Sequence, residues 1–126
     1  MDQKHSILIV DDDKFLVDMY SQKFQERGFT VETAESGAIA LSKIDAGLQP
    51  DICLVDIVMP EMDGFELVQH LVERKSEKKR AIIVLSNLGQ KEDVEKGLAL
   101  GADGYIVKAS ATPTEVVDKV LEIVGK

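Results

Sequence analysis

Acidic, hydroxyl and basic residues directly follow short apolar runs at four places in this sequence. They are Asp11, Asp12 and Asp13 after residues 7–10, Asp56 after 52–55, Ser86 after 82–85, and Lys108 after 105–107. Short, continuous apolar runs are typical of strands that are buried on both faces of a parallel sheet. The carboxyl ends of such strands meet at one edge of the sheet, where ligands bind. The sequence therefore predicts that carboxylates, a hydroxyl and an ammonium group meet at one site.

This set of groups indicates a magnesium-dependent phosphoryl site. Mg²⁺ prefers hard oxygen ligands such as carboxylates and keeps several waters. Carboxylates crowded together without a cation would repel one another, and some of their pKa values would rise. A carboxylate can also attack phosphorus and form an aspartyl phosphate. The metal and Lys108 could supply the positive charge that stabilises the phosphoryl oxygens during transfer, and Ser86 offers a hydroxyl beside them.

The predicted elements alternate between strand and helix five times. We expect strands at 6–10, 30–33, 51–55, 81–85 and 105–107, and helices at 14–27, 37–46, 64–73, 90–100 and 113–124. This order predicts an α/β fold: a doubly wound (βα)5 parallel sheet with helices on both faces, in three layers. At 126 residues, the chain is expected to form one domain over 1–126.

Local signals mark where the helices begin and end. Left-handed glycines are expected after three helices, at Gly28, Gly47 and Gly101. Helix starts are expected at the N-cap residues Asp13, Ser36 and Thr112, the last in a capping box with Glu115 and with Pro113 at the first helical position. These signals support the predicted alternation of strands and helices.

The composition argues against several classes of protein. With 44% hydrophobic and 30% charged residues, the chain is expected to be a soluble folded domain. Its net charge of −8 argues against direct nucleic-acid binding. The one basic run, 74–80, lies between a predicted helix and a predicted strand and indicates a solvated loop. Because no signal-peptide pattern or membrane-length apolar stretch occurs, we expect no membrane contact and a cytoplasmic location.

Two further patterns predict residues of the core. Phe15, Met19, Tyr20 and Phe24 form one apolar stripe along the first helix, which is expected to pack against the sheet. Cys53 is the only cysteine and lies inside an apolar run, so we expect a buried and unreactive thiol.

Four motifs are spread along the chain. They are Ile-Leu-Ile-Val-Asp-Asp-Asp at 7–13, Leu-Val-Asp-Ile-Val-Met-Pro-Glu-Met-Asp-Gly at 54–64, Val-Leu-Ser-Asn at 84–87 and Gly-Ala-Asp-Gly-Tyr-Ile-Val-Lys at 101–108. With them, essentially the whole chain resembles the receiver domain of two-component response regulators. The resemblance implies a flavodoxin-like strand order 2-1-3-4-5 and a histidine kinase or histidine phosphotransfer protein as phosphoryl donor. It also implies a signalling module that catalyses only its own phosphorylation and dephosphorylation.

The resemblance implies a role for each residue of the predicted site. Asp56 matches the phosphoacceptor, and Asp11 and Asp12 match the acidic pair that holds magnesium, with Asp12 the expected direct ligand. The backbone carbonyl of Val58 matches a further metal ligand, and Lys108 matches the lysine that pairs with the phosphoryl oxygens.

Two more residues match the switch of such domains. Ser86 matches the hydroxyl that follows the phosphoryl group inward, and Tyr105 matches the aromatic that moves between exposed and buried rotamers. A static core tyrosine is the alternative for Tyr105. The implied output is a protein target that binds the face formed by helix four, strand five and helix five.

The chain departs from the common receiver pattern after Lys108. Receivers usually have a proline there, in a cis peptide, whereas this chain has Ala109. A non-proline cis bond costs about 2.5–4 kcal/mol. The sequence therefore leaves open whether Ala109 adopts that bond or the loop is rebuilt, and with it the placement of Lys108.

Two alternatives remain at this point. Asp11 and Asp13 have the Asp-x-Asp spacing of magnesium-dependent phosphatases of the haloacid dehalogenase type, a true enzyme that also forms an aspartyl phosphate. However, Lys14 and Phe15 replace the small residue and threonine expected there, and no cap domain is apparent. The last predicted helix ends close to Lys126, so we expect either a stand-alone receiver or a piece of a longer regulator.

Overall fold

The fold is built around one parallel sheet. The structure is a computed structural model, and it describes residues 5–74 and 79–125. In the described part of the chain, the strands are β1 Ser6–Val10, β2 Thr30–Ala34, β3 Ile52–Val55, β4 Ala81–Ser86 and β5 Gly104–Val107. They pair in parallel in the order β2-β1-β3-β4-β5, which confirms the predicted topology.

In the described part of the chain, four helices connect consecutive strands and a fifth follows the last strand, and together they cover both faces of the sheet. They are α1 Lys14–Glu26, α2 Gly37–Asp45, α3 Gly64–Glu73, α4 Lys91–Ala99 and α5 Pro113–Val124, with a short 3₁₀ turn at Lys108–Ser110. The predicted caps are confirmed: the side chains of Asp13, Ser36 and Thr112 each accept a hydrogen bond from the first helical turn. The three glycines after helices all have positive φ, as predicted.

Alternate residues of each central strand pack into two separate apolar clusters. Leu8 and Val10 of β1 face the layer that contains α2 and α3, and Ile7 and Ile9 face the layer that contains α1 and α5. Because β1, β3 and β4 are covered on both faces, nearly every residue in them is buried. Cys53 of β3 is among them, which confirms its predicted burial, and burial raises the pKa of its thiol to about 12.

The predicted apolar stripe of α1 is wrong at its first residue. Tyr20 and Phe24 are buried, and Met19 packs against the same cluster, but Phe15 is 77% exposed. With roughly 3.6 residues per turn, Phe15 projects from the opposite side of the helix to Phe24. The buried stripe instead begins at Val17. Phe15 therefore contributes an exposed ring close to the start of α1.

The basic run between α3 and β4 is only partly described, since residues 75–78 lie outside the described part. At the two ends of this run, arginine side chains make hydrogen bonds within the domain. Arg74 makes two hydrogen bonds to the carboxylate of Asp45 at 2.8 and 3.2 Å. Arg80 donates to the backbone carbonyls of Leu71 and Arg74, at the end of α3. None of the described helices is long and apolar enough to cross a membrane.

Gly64 closes the turn between β3 and α3 through backbone contact. Its N–H donates to the carbonyl of Ile57 at 2.8 Å, and the Asp63 side chain caps the helix that it opens. A Cβ on Gly64 would lie 2.2 Å from the carbonyl oxygen of Asp56 and 2.6 Å from Cα of Ile57. The turn after Asp56 can therefore close only if the residue at position 64 has no side chain.

We predict that Gly64→Ala destabilises the domain strongly, because two rigid backbone segments must move apart. The expected loss in the free energy of unfolding is about 1–3 kcal/mol or more, as for other overpacked sites. Gly37→Ala is the matched control, since Gly37 also opens a helix but the nearest atoms to its Cβ would belong to the flexible side chain of Met62. Urea unfolding of both variants tests this, and equal losses would contradict the backbone argument.

Candidate metal centre

Three carboxylates meet at the carboxyl edge of the sheet. Asp11 and Asp56 directly follow β1 and β3, which pair in register up to Val10 and Val55. The N–H of Asp56 continues that ladder by donating to the carbonyl of Val10 at 3.0 Å. Asp12 joins them, and one oxygen from each of the three carboxylates lies within 4.8 Å of the others. We call Asp11, Asp12 and Asp56 the acidic cluster.

The three acids differ in their contact with water. Asp11 and Asp56 are 3% and 7% exposed, whereas Asp12 is exposed. The carboxylate of Asp11 is further oriented because its Oδ1 accepts the N–H of Asp13 at 2.9 Å. Asp13 itself turns its side chain to the start of α1, where it accepts the N–H of Leu16. Asp13 therefore acts as the predicted N-cap and stays outside the acidic cluster.

Lys108 brings a cation to the acidic cluster from the far edge of the sheet. Its Nζ lies 2.8 Å from Oδ2 of Asp11 and 3.4 Å from Oδ2 of Asp56. All three side chains are largely buried, so these contacts are screened little by water. The position of Lys108, which the sequence left open, is therefore beside the cluster.

The loop after Lys108 is rebuilt rather than held in a cis peptide. No cis peptide bond occurs within residues 5–74 and 79–125. Lys108, Ala109 and Ser110 form the 3₁₀ turn, closed by a hydrogen bond from the N–H of Ala111 to the carbonyl of Lys108. The turn then leads into the capping box of α5 at Thr112.

Burial and the nearby cation act in opposite directions on the pKa of the Asp56 carboxylate. Burial of Asp56 disfavours its charged form and raises its pKa, and the negative charge of Asp11 adds to that effect. The ammonium group of Lys108 and hydrogen bonds from Ser86 and the Ile57 backbone lower the pKa, but they do not cancel the rise. Asp56 is therefore a carboxylate whose charge is not fully compensated.

The ammonium group of Lys108 is stabilised in its charged form. Burial alone would lower its pKa, but the hydrogen bond to Asp11 and the charges of Asp56 and Asp11 outweigh burial and raise it. Lys108 therefore remains protonated within the pocket.

Ser86 and Tyr105 are linked through the backbone of Leu88. Ser86 is fully buried at the end of β4, and its Oγ accepts the N–H of Leu88 at 3.3 Å. Tyr105 is half-buried on β5, and its hydroxyl donates to the carbonyl of the same Leu88. This link could not be predicted from the sequence, because Leu88 takes part through main-chain atoms that any residue carries.

Val58 lies in the turn that Gly64 closes. Its side chain is exposed, so an apolar group faces solvent two residues after Asp56. The turn also contains Glu61 in the left-handed region, with φ of 67°. Non-glycine residues adopt this conformation rarely, and the strain is typical of functional loops.

The donor set of the acidic cluster fits a hard divalent cation. Three carboxylates offer oxygen ligands, and the exposed Asp12 leaves one side of the cluster open to water. Mg²⁺ characteristically takes one or two carboxylates and keeps waters in its remaining positions. Lys108 offsets only one of the three negative charges, so a cation would reduce the remaining repulsion.

Comparison with known families gives a consistent result. The family model described as "Response regulator receiver domain" matches residues 7–121. The response regulator SaeR of Staphylococcus aureus is 36% identical over 111 residues, covering 88% of this chain and 46% of SaeR. The DNA-binding dual master transcriptional regulator RpaA of Synechocystis is 34% identical over 102 residues, covering 81% and 42%. This chain thus spans less than half the length of these curated relatives.

Solved structures support the same fold. The chemotaxis protein CheY4 of Vibrio cholerae superposes with a TM-score of 0.87 at 30% identity, covering 96% of this chain and 99% of that one. A response regulator from Chloroflexus aurantiacus superposes with a TM-score of 0.87 at 31% identity, covering 98% and 100%. These matches do not favour the haloacid dehalogenase alternative, and the use of Asp13 as a helix cap agrees with them.

We predict that Asp56→Asn stabilises the domain at neutral pH when a chelator removes divalent cations. Because the pKa of Asp56 is raised on folding, the unfolded state loses its proton first, and stability falls as pH rises through the folded pKa. Asparagine does not ionise, so the variant avoids this fall in stability, while Lys108 keeps its hydrogen bond to Asp11. The gain in stability should vanish below the pKa that Asp56 has in the unfolded chain, where the parent carboxyl is protonated in both states.

Urea unfolding across acid to neutral pH measures this effect. Asp12→Asn is the control, because it removes the same charge from an exposed carboxylate and should give a smaller gain. Equal gains for the two variants would show that total cluster charge, rather than burial of Asp56, sets the effect.

Proposed function

We infer the function of this chain from its family: it belongs to the response regulator receiver domains of two-component systems. We propose that it accepts a phosphoryl group on Asp56 from a histidine kinase or histidine phosphotransfer protein. The observation that carries the proposal is the placement of Lys108 between Asp11 and Asp56 at the carboxyl edge of the sheet. In support of the proposal, a carboxylate of the type that can attack phosphorus lies in one pocket with a cation of the type that stabilises phosphoryl oxygens.

The proposed transfer is an in-line displacement at phosphorus. An oxygen of the Asp56 carboxylate attacks the phosphorus of a phosphohistidine, and the new O–P bond forms as the N–P bond breaks. The bonding electrons pass to the leaving imidazole nitrogen. Lys108 already lies 3.4 Å from Asp56, so its ammonium group is in place for an oxygen of the arriving phosphoryl group. Asp11 holds that ammonium group in position through its own hydrogen bond.

The proposed metal ligands are Asp11, Asp12, Asp56 and the backbone carbonyl of Val58. When bound there, Mg²⁺ would supply positive charge beside the phosphoryl oxygens. The chain's own contribution is to gather the carboxylates by strand pairing and to orient Asp11 through the N–H of Asp13.

The proposed response to phosphorylation runs through Ser86, Leu88 and Tyr105. A phosphoryl oxygen on Asp56 would attract the Ser86 hydroxyl, whose Oγ now accepts the N–H of Leu88. A shift of Leu88 would in turn move the carbonyl that holds the Tyr105 hydroxyl. Such a two-state change would alter the face formed by α4, β5 and α5, the proposed binding surface for a downstream protein.

The proposed phosphodonor contact includes exposed apolar side chains beside the acidic cluster. Phe15 lies in the first turn of α1, two residues after Asp13, and Val58 lies two residues after Asp56. A donor must bring its phosphohistidine to Asp56 across this rim, where an apolar patch on the donor could cover both side chains. Aromatic residues often provide much of the binding energy at such contacts.

We predict that acetyl phosphate with Mg²⁺ labels the parent chain and that Asp56→Asn abolishes the label. The label should show the stability of an acyl phosphate, being lost in base. Asp18→Asn is the matched control, because Asp18 is an exposed acid on α1 outside the acidic cluster, and it should be labelled like the parent. Undiminished labelling of Asp56→Asn would remove Asp56 from the acceptor role.

We also predict that Phe15→Ala slows phosphorylation by protein donors but not by small donors such as acetyl phosphate. Phosphotransfer from a phosphorylated histidine kinase or phosphotransfer protein should slow by about tenfold, the effect of losing one aromatic anchor. Labelling by acetyl phosphate and the midpoint of urea unfolding should stay unchanged, since the ring is exposed. Ile39→Ala removes another exposed apolar side chain, on α2, and should leave both donors unaffected. Equal slowing with both donors would count against a docking role.

A further inference from the structure

Helix α4 has few apolar side chains that pack against the rest of the domain. Among its residues Lys91–Ala99, Gly97 alone is buried. Most of its side chains are polar, and Leu98 is largely exposed. A helix that buries so little depends on the few contacts that it does make.

A side chain at position 97 would meet the ring of Tyr105 before any other group. A Cβ on Gly97 would lie 3.1 Å from Cδ2 and 3.3 Å from Cε2 of that ring. The ring therefore lies close to the backbone of α4, and a methyl group at position 97 would require it to shift by a few tenths of an ångström. On its far end, the ring is held by the hydrogen bond from its hydroxyl to the carbonyl of Leu88.

The residue before Gly97 rests on a second aromatic ring. Nζ of Lys96 lies 4.4 Å from the centre of the Phe65 ring, a cation–π contact. Phe65 follows Gly64, which closes the turn after Asp56. Helix α4 thus contacts one ring from β5, the strand that leads into Lys108, and one ring from α3, the helix that follows the turn after Asp56.

We infer that Gly97 is a positioning residue for Tyr105: its missing side chain lets the ring lie inward against α4. Glycine is unfavourable in a helix interior, so an alanine at position 97 would help the helix if nothing opposed it. Here the Tyr105 ring opposes it. The position of the ring and the position of α4 are therefore coupled, and Tyr105 cannot turn without changing what α4 rests on. The signalling consequence of this coupling rests on the proposed function, whereas the packing does not.

A double-mutant cycle tests the packing. Gly97→Ala should lower the midpoint of thermal unfolding in the parent and raise it in the Tyr105→Ala background, where the ring is gone. Glu95→Ala is the control, since Glu95 is exposed on the same helix and should shift the midpoint equally in both backgrounds. If Gly97→Ala fails to fold in the parent but folds with Tyr105→Ala, the coupling is supported. Equal shifts of Gly97→Ala in both backgrounds would overturn it.

A second measurement tests the consequence for signalling in the same variants. Amide resonances of α4 should move when beryllofluoride and Mg²⁺ are added to the parent, and Gly97→Ala should lose most of that movement. An unchanged response in a folded Gly97→Ala variant would overturn the positioning role. Acetyl phosphate labelling of each variant distinguishes a failure of the proposed function from a failure of the positioning role of Gly97. An unlabelled parent would refute the proposed function, while the thermal cycle would still decide the packing.

Discussion

The ammonium group of Lys108 between the carboxylates of Asp11 and Asp56 is the interaction on which the rest of this structure depends. Two acids this close and this buried would repel each other strongly without a cation. One lysine compensates them only in part, which leaves Asp56 with a raised pKa and the acidic cluster with excess negative charge. This incomplete compensation makes the pocket suited to bind a cation, which would offset the repulsion between the acidic cluster and the phosphoryl group in the proposed transfer. The same repulsion makes the pocket unfavourable for stability alone.

Several segments that are distant in sequence must be positioned together for this interaction to form. Register between β1 and β3 sets Asp11 beside Asp56, and Lys108 reaches them from β5, beyond the intervening β4. Gly64 keeps the turn after Asp56 tight by backbone contact. On the other side, Leu88 connects the end of β4 to Tyr105, whose ring supports α4. Asp56 is thus connected to α3 through the turn that Gly64 closes. The neighbouring strand end at Ser86 is connected to α4 through Leu88 and Tyr105.

The fold and the acidic cluster could be predicted from the sequence because their signals are local. Apolar runs identify the central strands, glycines and N-caps identify the helix ends, and parallel strands bring their carboxyl ends to one edge. The contributions of Leu88 and Gly97 could not be predicted, because each arises from backbone atoms or from a missing side chain. The apolar spacing along α1 predicts that Phe15 belongs to the core, yet the turn of the helix points its ring to solvent. Such residues are identified only once the elements have been packed together.

The most direct test of this account is the chemical location of the phosphoryl group. The chain can be phosphorylated with acetyl phosphate and Mg²⁺, reduced with borohydride, and digested for mass spectrometry. Borohydride converts a phosphorylated aspartate to homoserine and leaves free carboxylates unchanged. The account predicts homoserine at the position of Asp56 and intact aspartates at Asp11 and Asp12. Homoserine at either of those two positions, or at none of the three, would contradict it.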